Sequence, residues 1–299
     1  MTNFNDYKEI LEAKVVTIHN LLKHFKKADL DYDQHGNIFV NFKKDTKKLP
    51  ILVAHTDNVL GDRERNPVFT IDKKRIFCAN GTGIGFDDKA GIIAIIELWK
   101  SVPEAQKKFR CIFTADEEIG GVGAEMIEPE RYDEASYILE LDRKSGKDFI
   151  QTSGGVRLCS DKFKAKWEEL GFKEATGTFT DVNIFKPNAP KVEMCNISIG
   201  YYNPHTPQEY LDTKEFEEIV TKVKVFIMQN YDTKFEDDTK EEVTQWNRYN
   251  NYNNYNEYPE DDGMVGTCEC CDKKRILHWN EETGMYLCEE CEEWYKQAK

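Results

Sequence analysis

The segment that most restricts this chain is residues 108–123, KFRCIFTADEEIGGVG. Residues 109–114 form a short, largely apolar run of strand type, and the glycines at 120, 121 and 123 permit a tight turn into a helix. Between them stand Asp116, Glu117 and Glu118. Acidic residues can simply open a helix, where they complement its positive N-terminus. Three carboxylates at the carboxyl end of a buried strand nevertheless repel one another, and they are costly to desolvate unless positive charge is brought to them. Whether the run is a helix start or a cation site therefore turns on what the rest of the chain supplies.

Upstream, residues 7–27 carry apolar side chains at Ile10, Leu11, Val15, Val16, Ile18, Leu21, Leu22 and Phe25, a helical stripe with Lys and His opposite. Residues 33–42, DQHGNIFVNF, turn at Gly36-Asn37 and continue as an alternating strand, leaving His35 as a surface residue. Residues 50–58, PILVAHTDN, read as a buried strand ending in His-Thr-Asp, and residues 68–71 and 75–78 as a hairpin. The loop NGTGIGFDDKAG then feeds an apolar helix over 92–99. It lacks the Gly-Lys-Ser/Thr ending of a phosphate-binding P-loop and the strand context of a dinucleotide site, which disfavours phosphate binding. Past the central strand, residues 135–142 (ASYILELD) form another strand ending in an acid. Residues 149–152 read as a strand, 161–170 as a helix, 191–200 as a strand followed by YYNPHTPQE, and 213–229 as an amphipathic helix. This alternation predicts an α/β fold, a mixed, mostly parallel sheet sandwiched between helices. Ligands collect beyond the carboxyl ends of the strands in such sheets.

The 299 residues suffice for one full core and a small second module. Three parts are expected: residues 1–231 as a catalytic domain, 232–263 as an acidic, Asn/Tyr-rich flexible linker, and 264–299 as a zinc ribbon. Of the net charge of −14, residues 232–299 contribute −10, from 18 acidic against 8 basic residues. Phosphate-backbone binding needs a basic footprint, so nucleic acid is a disfavoured partner. The N-terminus MTNFNDYKEI has no secretory pattern, and the apolar run near 92–96 is far too short for a bilayer span. Of nine cysteines, Cys78, Cys111, Cys159 and Cys195 stand alone, whereas five fall in the last 32 residues. The odd count and paired spacing read as reduced thiols and metal, hence a cytoplasmic protein. Cys268, Cys271, Cys288 and Cys291 follow C-x2-C, sixteen residues, C-x2-C, the spacing of a closed four-thiolate site for one structural Zn2+. Cys270 is spare or an alternative ligand. With 8 acidic and 5 basic residues, the ribbon suits a protein or oligomer contact better than nucleic acid.

Collected along the chain, His55, Asp57, Asp87, Glu117, Glu118, Asp142 and His205 each lie at a strand end or in the loop after it. A two-metal centre needs one bridging carboxylate, a His and a further carboxylate for each ion, and a water between them. A single His on a strand is usually structural; the whole set is the inventory of such a centre. Imidazole with carboxylate suits zinc, and cobalt or manganese can occupy the same ligands.

The motifs HTD (55–57), GFDDKAG (85–91), ADEEIG (115–120), ELD (140–142) and PHTPQE (204–209) resemble, in order and content, the five motifs of the co-catalytic dizinc exopeptidase superfamily. That group includes bacterial leucyl aminopeptidases, peptidase T and glutamate carboxypeptidase-type enzymes. The resemblance covers roughly residues 5–230 and excludes the linker and ribbon. It implies that Asp87 bridges two zinc ions, that His55 and Asp142 complete one site, and that Glu118 and His205 complete the other. It further implies that Asp57 accepts the His55 imidazole N–H and that Glu117 is the general base. The implied activity is amide hydrolysis, foremost by an aminopeptidase acting on short peptides. An N-acyl amino acid amidase or deacylase, or a carboxypeptidase, is the alternative, and Arg143 beside a ligand would favour it by pairing with a substrate carboxylate. A non-catalytic scaffold that binds through its ribbon is a second alternative, against which the full ligand set and Glu117 argue. Phe86 stands where relatives often have a small residue, so a narrowed pocket is expected. Only 62 residues separate Asp142 from His205, leaving no room for an inserted lid domain. FTDVNIF (179–185) resembles the superfamily's Ser/Thr-Asp loop, which would bring Asp181 to a substrate amine.

Overall fold

A computed structural model describes residues 2–59, 67–72, 74–235, 264–267, 274–280 and 285–288. The chain divides into two units, Met1–Glu242 and Val243–Lys299. In the first, a 3-10 turn leads into two short helices, α1 (Lys8–Leu11) and α2 (Ile18–Leu21), rather than the single helix that the stripe over 7–27 predicts. Val15, Val16 and Thr17 are three β-branched residues in a row, poor in a helix. The Val16 N–H donates instead to the Thr56 carbonyl at 3.0 Å, and Thr17 caps the second helix. Ile10, Leu11, Val16, Leu21 and Phe25 still reach the core.

There follow β1 (Leu30–Tyr32), β2 (Ile38–Val40), β3 (Ile51–His55), β4 (Phe69–Asp72), β5 (Arg75–Cys78), α3 (Phe86–Ser101), β6 (Arg110–Thr114), α4 (Val122–Glu125) and β7 (Tyr137–Arg143). Next come β8 (Asp148–Ser153), β9 (Val156–Arg157), α5 (Asp161–Glu169), β10 (Lys173–Gly177), α6 (Asp181–Asn188), β11 (Glu193–Ser198), β12 (Tyr201–Tyr202), β13 (Tyr210–Asp212) and α7 (Thr213–Asn230). The central sheet runs β1-β2-β6-β3-β7-β11-β8-β10, with β9 paired to β8. Its middle strands β6, β3, β7 and β11 are parallel, and antiparallel pairings flank them at β2/β6 and β11/β8. In the interval from Asp142 to His205 the sequence suggested two strands and a helix, found as β8, α5 and β11, and the structure adds β9, β10, α6 and β12. No separate lid occurs there among the described residues. The predicted hairpin belongs to a second, antiparallel sheet of order β12-β13-β5-β4.

Strand periodicity divides the interior in two. In β3, Leu52 and Ala54 join one core with α3, α5 and α7, while Ile51 and Val53 join the other with α4 and α6. In the first, Trp167 of α5 stacks on Phe226 of α7 at 4.2 Å between ring centroids. Burial of each such side chain contributes roughly 1.5–3 kcal/mol. Helix α3 approaches β7 so closely that a Cβ on Gly91 would lie 2.2 Å from the Leu141 carbonyl oxygen. Glycine at 91 thus lets the start of α3, with Asp87, come up against the strand that carries Asp142.

In the second unit, β14 (Met264–Thr267), β15 (Lys274–Asn280) and β16 (Met285–Cys288) form an antiparallel sheet in that order. Cys268, Cys270, Cys271 and Cys291 lie outside the described residues, and Cys288 is described only as the backbone end of β16. Most of the expected linker, residues 236–263, also lies outside them. No helix among the described residues is long and apolar enough to cross a membrane.

Candidate active site

The parallel strands aim their carboxyl ends at one point. His55 ends β3, Asp57 follows it, Asp87 opens α3, Glu117 and Glu118 follow β6, Asp142 sits near the end of β7, and His205 lies in the loop after β12. His55 Nε2 lies 3.1 Å from Asp87 Oδ1 and 3.5 Å from Asp142 Oδ1. On the other side, His205 Nε2 lies 3.0 Å from Asp87 Oδ2 and 3.1 Å from Glu118 Oε1. Asp87 therefore faces one imidazole with each oxygen. Two ligand groups result, His55/Asp87/Asp142 and Asp87/Glu118/His205, and within each the ligand atoms lie within 4.8 Å of one another.

Asp57 sits behind the first group. His55 Nδ1 is 3.1 Å from its carbonyl oxygen and 3.3 Å from its Oδ1. Donation by Nδ1–H to Asp57 leaves the Nε2 lone pair facing the cluster. The same carboxylate accepts the backbone N–H of Glu117 and that of Glu118, each at 3.1 Å, so it also sets the acidic turn. Asp116, the third carboxylate of the acidic run and not one of the seven candidates, is exposed.

The electrostatics call for a cation. Burial alone would lower the His55 imidazole, but Asp142, Asp57 and Asp87 together raise it well above its ordinary value. Burial, and then Asp87 and Asp88, push Asp142 well up. Although burial works against it, the two imidazoles hold Asp87 below the usual carboxylate range. Burial pushes Glu117 up to about 8, opposed by His55 and reinforced by Asp181, Glu118 and Asp87. Glu118 Oε1 is buried, with His205 Nε2 facing it at 3.1 Å. Buried carboxylate oxygens converging with two imidazoles fit hard or borderline divalent ions.

Several supporting residues carry no obvious sequence signal. Asp88, joined to Asp87 by a cis peptide, is fully buried and accepts the N–H of His55 at 3.3 Å and that of Gly91 at 2.9 Å. The buried Lys89 ammonium donates to the carbonyls of Leu11, Ala13 and Ile84 at 3.2, 2.5 and 2.5 Å. Tyr201 Oη lies 3.3 Å from Asp142 Oδ1. Glu209 accepts the N–H of Gly85 at 2.7 Å and that of Asp87 at 3.2 Å. Burial pushes Glu209 up to about 7, with the Phe86, Asp87 and Gly85 amides opposing. Glu209 and Glu140 both lie inside the motifs PHTPQE and ELD, so a polar residue with no assigned task was the available clue.

A pocket of about 350 Å3 opens over the cluster, walled by Glu117, Glu118, Arg143, Phe179 and Tyr201 among others. Two expectations fail here. Phe86 is fully buried in the core with α3 and does not line the pocket, so it does not narrow it. Asp181 is fully buried too; Thr114 donates to it, and its neighbour Thr180 donates to Glu140. It has no surface with which to meet a substrate amine.

A family model described as M42 glutamyl aminopeptidase matches residues 66–142. No curated protein matches the sequence. Among solved structures, the aminopeptidase PepT from Bacillus cereus is 15% identical, with 75% of this chain and 96% of that one covered at a TM-score of 0.59. A tripeptidase from Staphylococcus aureus is 14% identical, with 76% and 98% covered at a TM-score of 0.58. The TET1 peptidase of Pyrococcus horikoshii, described as able to assemble into a tetrahedron or a large octahedral shell, is 15% identical, with 75% and 98% covered at 0.58. Likeness at these identities establishes a common fold.

Proposed function

We propose, on the premise that the chain belongs to the dizinc exopeptidase superfamily, that it is a metal-dependent aminopeptidase acting on short peptides. The observation that carries the reading is Asp87, with one carboxylate oxygen toward His55 and the other toward His205. His55, Asp87 and Asp142 would hold one divalent ion, and Asp87, Glu118 and His205 the other. Such a pair lowers the pKa of a bound water to about 7 and polarises the scissile carbonyl.

The chain's own groups do the rest. Asp57 orients His55 and, through two backbone bonds, the Glu117–Glu118 turn. Glu117, whose Oε2 is 4.0 Å from His55 Nε2, takes the proton of the attacking water and returns it to the leaving amine as the C–N bond breaks. Asp87, Glu117, Glu118 and Asp142 line the pocket, a wall that attracts a free α-ammonium. One observation favours a second reading: Arg143 also lines the pocket, its guanidinium 3.5 Å from Asp148 Oδ2, and such a cation suits an N-acyl amino acid carboxylate.

Paired assays of free-amine and N-acetylated peptides separate the readings, since turnover of the blocked peptides alone overturns the aminopeptidase. Glu117→Gln is expected to keep both ions and lose roughly 10²–10⁴-fold in kcat; unchanged turnover overturns the mechanism. We assign zinc as the resident metal, with cobalt or manganese able to replace it, and Cys268, Cys271, Cys288 and Cys291 as ligands of a further, structural zinc in the tail. On that reading residues 1–231, 232–263 and 264–299 are catalytic domain, linker and ribbon. Metal analysis should find about three zinc ions in the full chain and about two in a chain ending at Tyr231. A cytoplasmic location is supported by Cys78, Cys111, Cys159 and Cys195, none of which forms a disulfide among the described residues. The ribbon's acidic surplus makes a protein or oligomer contact its role.

A further inference from the structure

Glu209 is fully buried, four residues after His205, and belongs to neither ligand group. An unpaired buried carboxylate is costly, by several kcal/mol. This one is spent on backbone: Oε2 accepts the Gly85 N–H at 2.7 Å and Oε1 the Asp87 N–H at 3.2 Å. Those amides open α3, where donors have no partner within the helix. The segment also departs from helical geometry, with Gly85 at φ 77° and Asp87 at ψ 96°, so its placement is not set by the helix itself. At the other end, the His205 loop is a closed turn. Thr206 Oγ1 donates to the Asn203 carbonyl at 2.8 Å, and the Glu209 N–H to the Thr206 carbonyl at 3.2 Å.

We infer that Glu209 is a positioning residue that fixes the spacing between the shared carboxylate of Asp87 and the imidazole of His205, by holding the Gly85 and Asp87 amides from the loop that carries His205. The two ligands come from segments 118 positions apart, and only this carboxylate among the described side chains bonds the backbone of one from the loop of the other. A two-ion centre tolerates little error, because the ions must sit about 3.5–4 Å apart and a shift of about 1 Å can cost about 10²-fold in rate. The inference rests on the two-ion reading of the site.

Glu209→Gln keeps the shape but replaces one acceptor oxygen with an amide nitrogen, so one of the two bonds is lost. The probe is manganese(II) alone, titrated into the full chain after removal of labile ions; oxygen and nitrogen ligands suit it and thiolates do not. Wild type should take up two ions. Glu209→Gln should bind one nearly as before and the other roughly 10–100-fold more weakly. Glu193→Gln is the control, since Glu193 is equally buried and accepts the Ser160 N–H at 2.7 Å at the start of α5. It should lower the Tm and leave both manganese affinities alone. Unchanged affinities in Glu209→Gln overturn the positioning role and leave the two-ion site standing, whereas a wild type that never binds two ions overturns the site itself. If Glu209→Gln fails to fold, Glu209→Asp, one methylene short with its charge kept, is read by the same criterion.

Discussion

The two halves of the ligand cluster share Asp87 and use the same kinds of side chain, yet they are held differently. His55 ends a wholly buried strand, its N–H donates to Asp88, and its ring is gripped by Asp57 on one side and Asp87 and Asp142 on the other. His205 sits in a loop at φ 64°, its side chain 46% exposed, with Asp87 and Glu118 beside it. One half is preorganised by the sheet; the other takes its order from contacts between loops. The difference implies unequal ion affinities, and unequal damage when each half is cut.

The strongest way to break this comparison is Asp87→Ala. It removes a ligand from both halves, so both ions and turnover should be lost, as read by metal analysis and assay. Retention of one ion at full affinity would mean that the halves are independent. The intermediate effect separates them. In metal-free protein, His55→Ala leaves buried carboxylates uncompensated and should cost about 3–5 kcal/mol, while His205→Ala removes a half-exposed partner worth about 0–1 kcal/mol. Denaturant unfolding measures both, and equal losses would erase the distinction between strand-held and loop-held halves.

The smallest effect sharpens the comparison by removing a background. His24 stacks on Tyr7, and burial, then Lys100 and Lys23, lower it from 6.5 to about 4. The unfolded chain therefore binds this proton below about pH 6.5 and the folded chain only near pH 4, so stability falls as the pH drops through that window. His24→Gln should flatten the decline of Tm between pH 6.5 and 4, which takes one contribution outside the two half-sites out of the acid loss. An identical slope in the variant would remove His24 from the account.

How much of this was legible in the sequence depends on the kind of signal. Strands β3, β6 and β7 announce themselves as largely apolar runs with His or acid at their carboxyl ends or just beyond, because parallel strands are buried on both faces and ligands gather at their carboxyl ends. All seven candidates around Asp87 follow from that pattern and from motif order. The N-terminal stripe misled, because apolar spacing does not register a run of β-branched residues or a long-range bond such as Val16 to Thr56. Phe86 and Asp181 misled for another reason. Motif position fixes where the backbone passes, and burial decides which way a side chain turns, so both went inward. Strand β10, with its mixed sequence KEATG at the sheet edge, has neither an apolar run nor clean alternation. Glu209 and Asp88 work by accepting backbone amides, and nothing in residue type distinguishes such a carboxylate from a metal ligand.

The ammonium of Lys89, set among the Leu11, Ala13 and Ile84 carbonyls, has a practical consequence for handling the chain. Trimming the leading fourteen residues would strip two of those three acceptors from a buried cation beneath the loop that presents Asp87. A deletion that looks peripheral on paper would be felt at the metal centre.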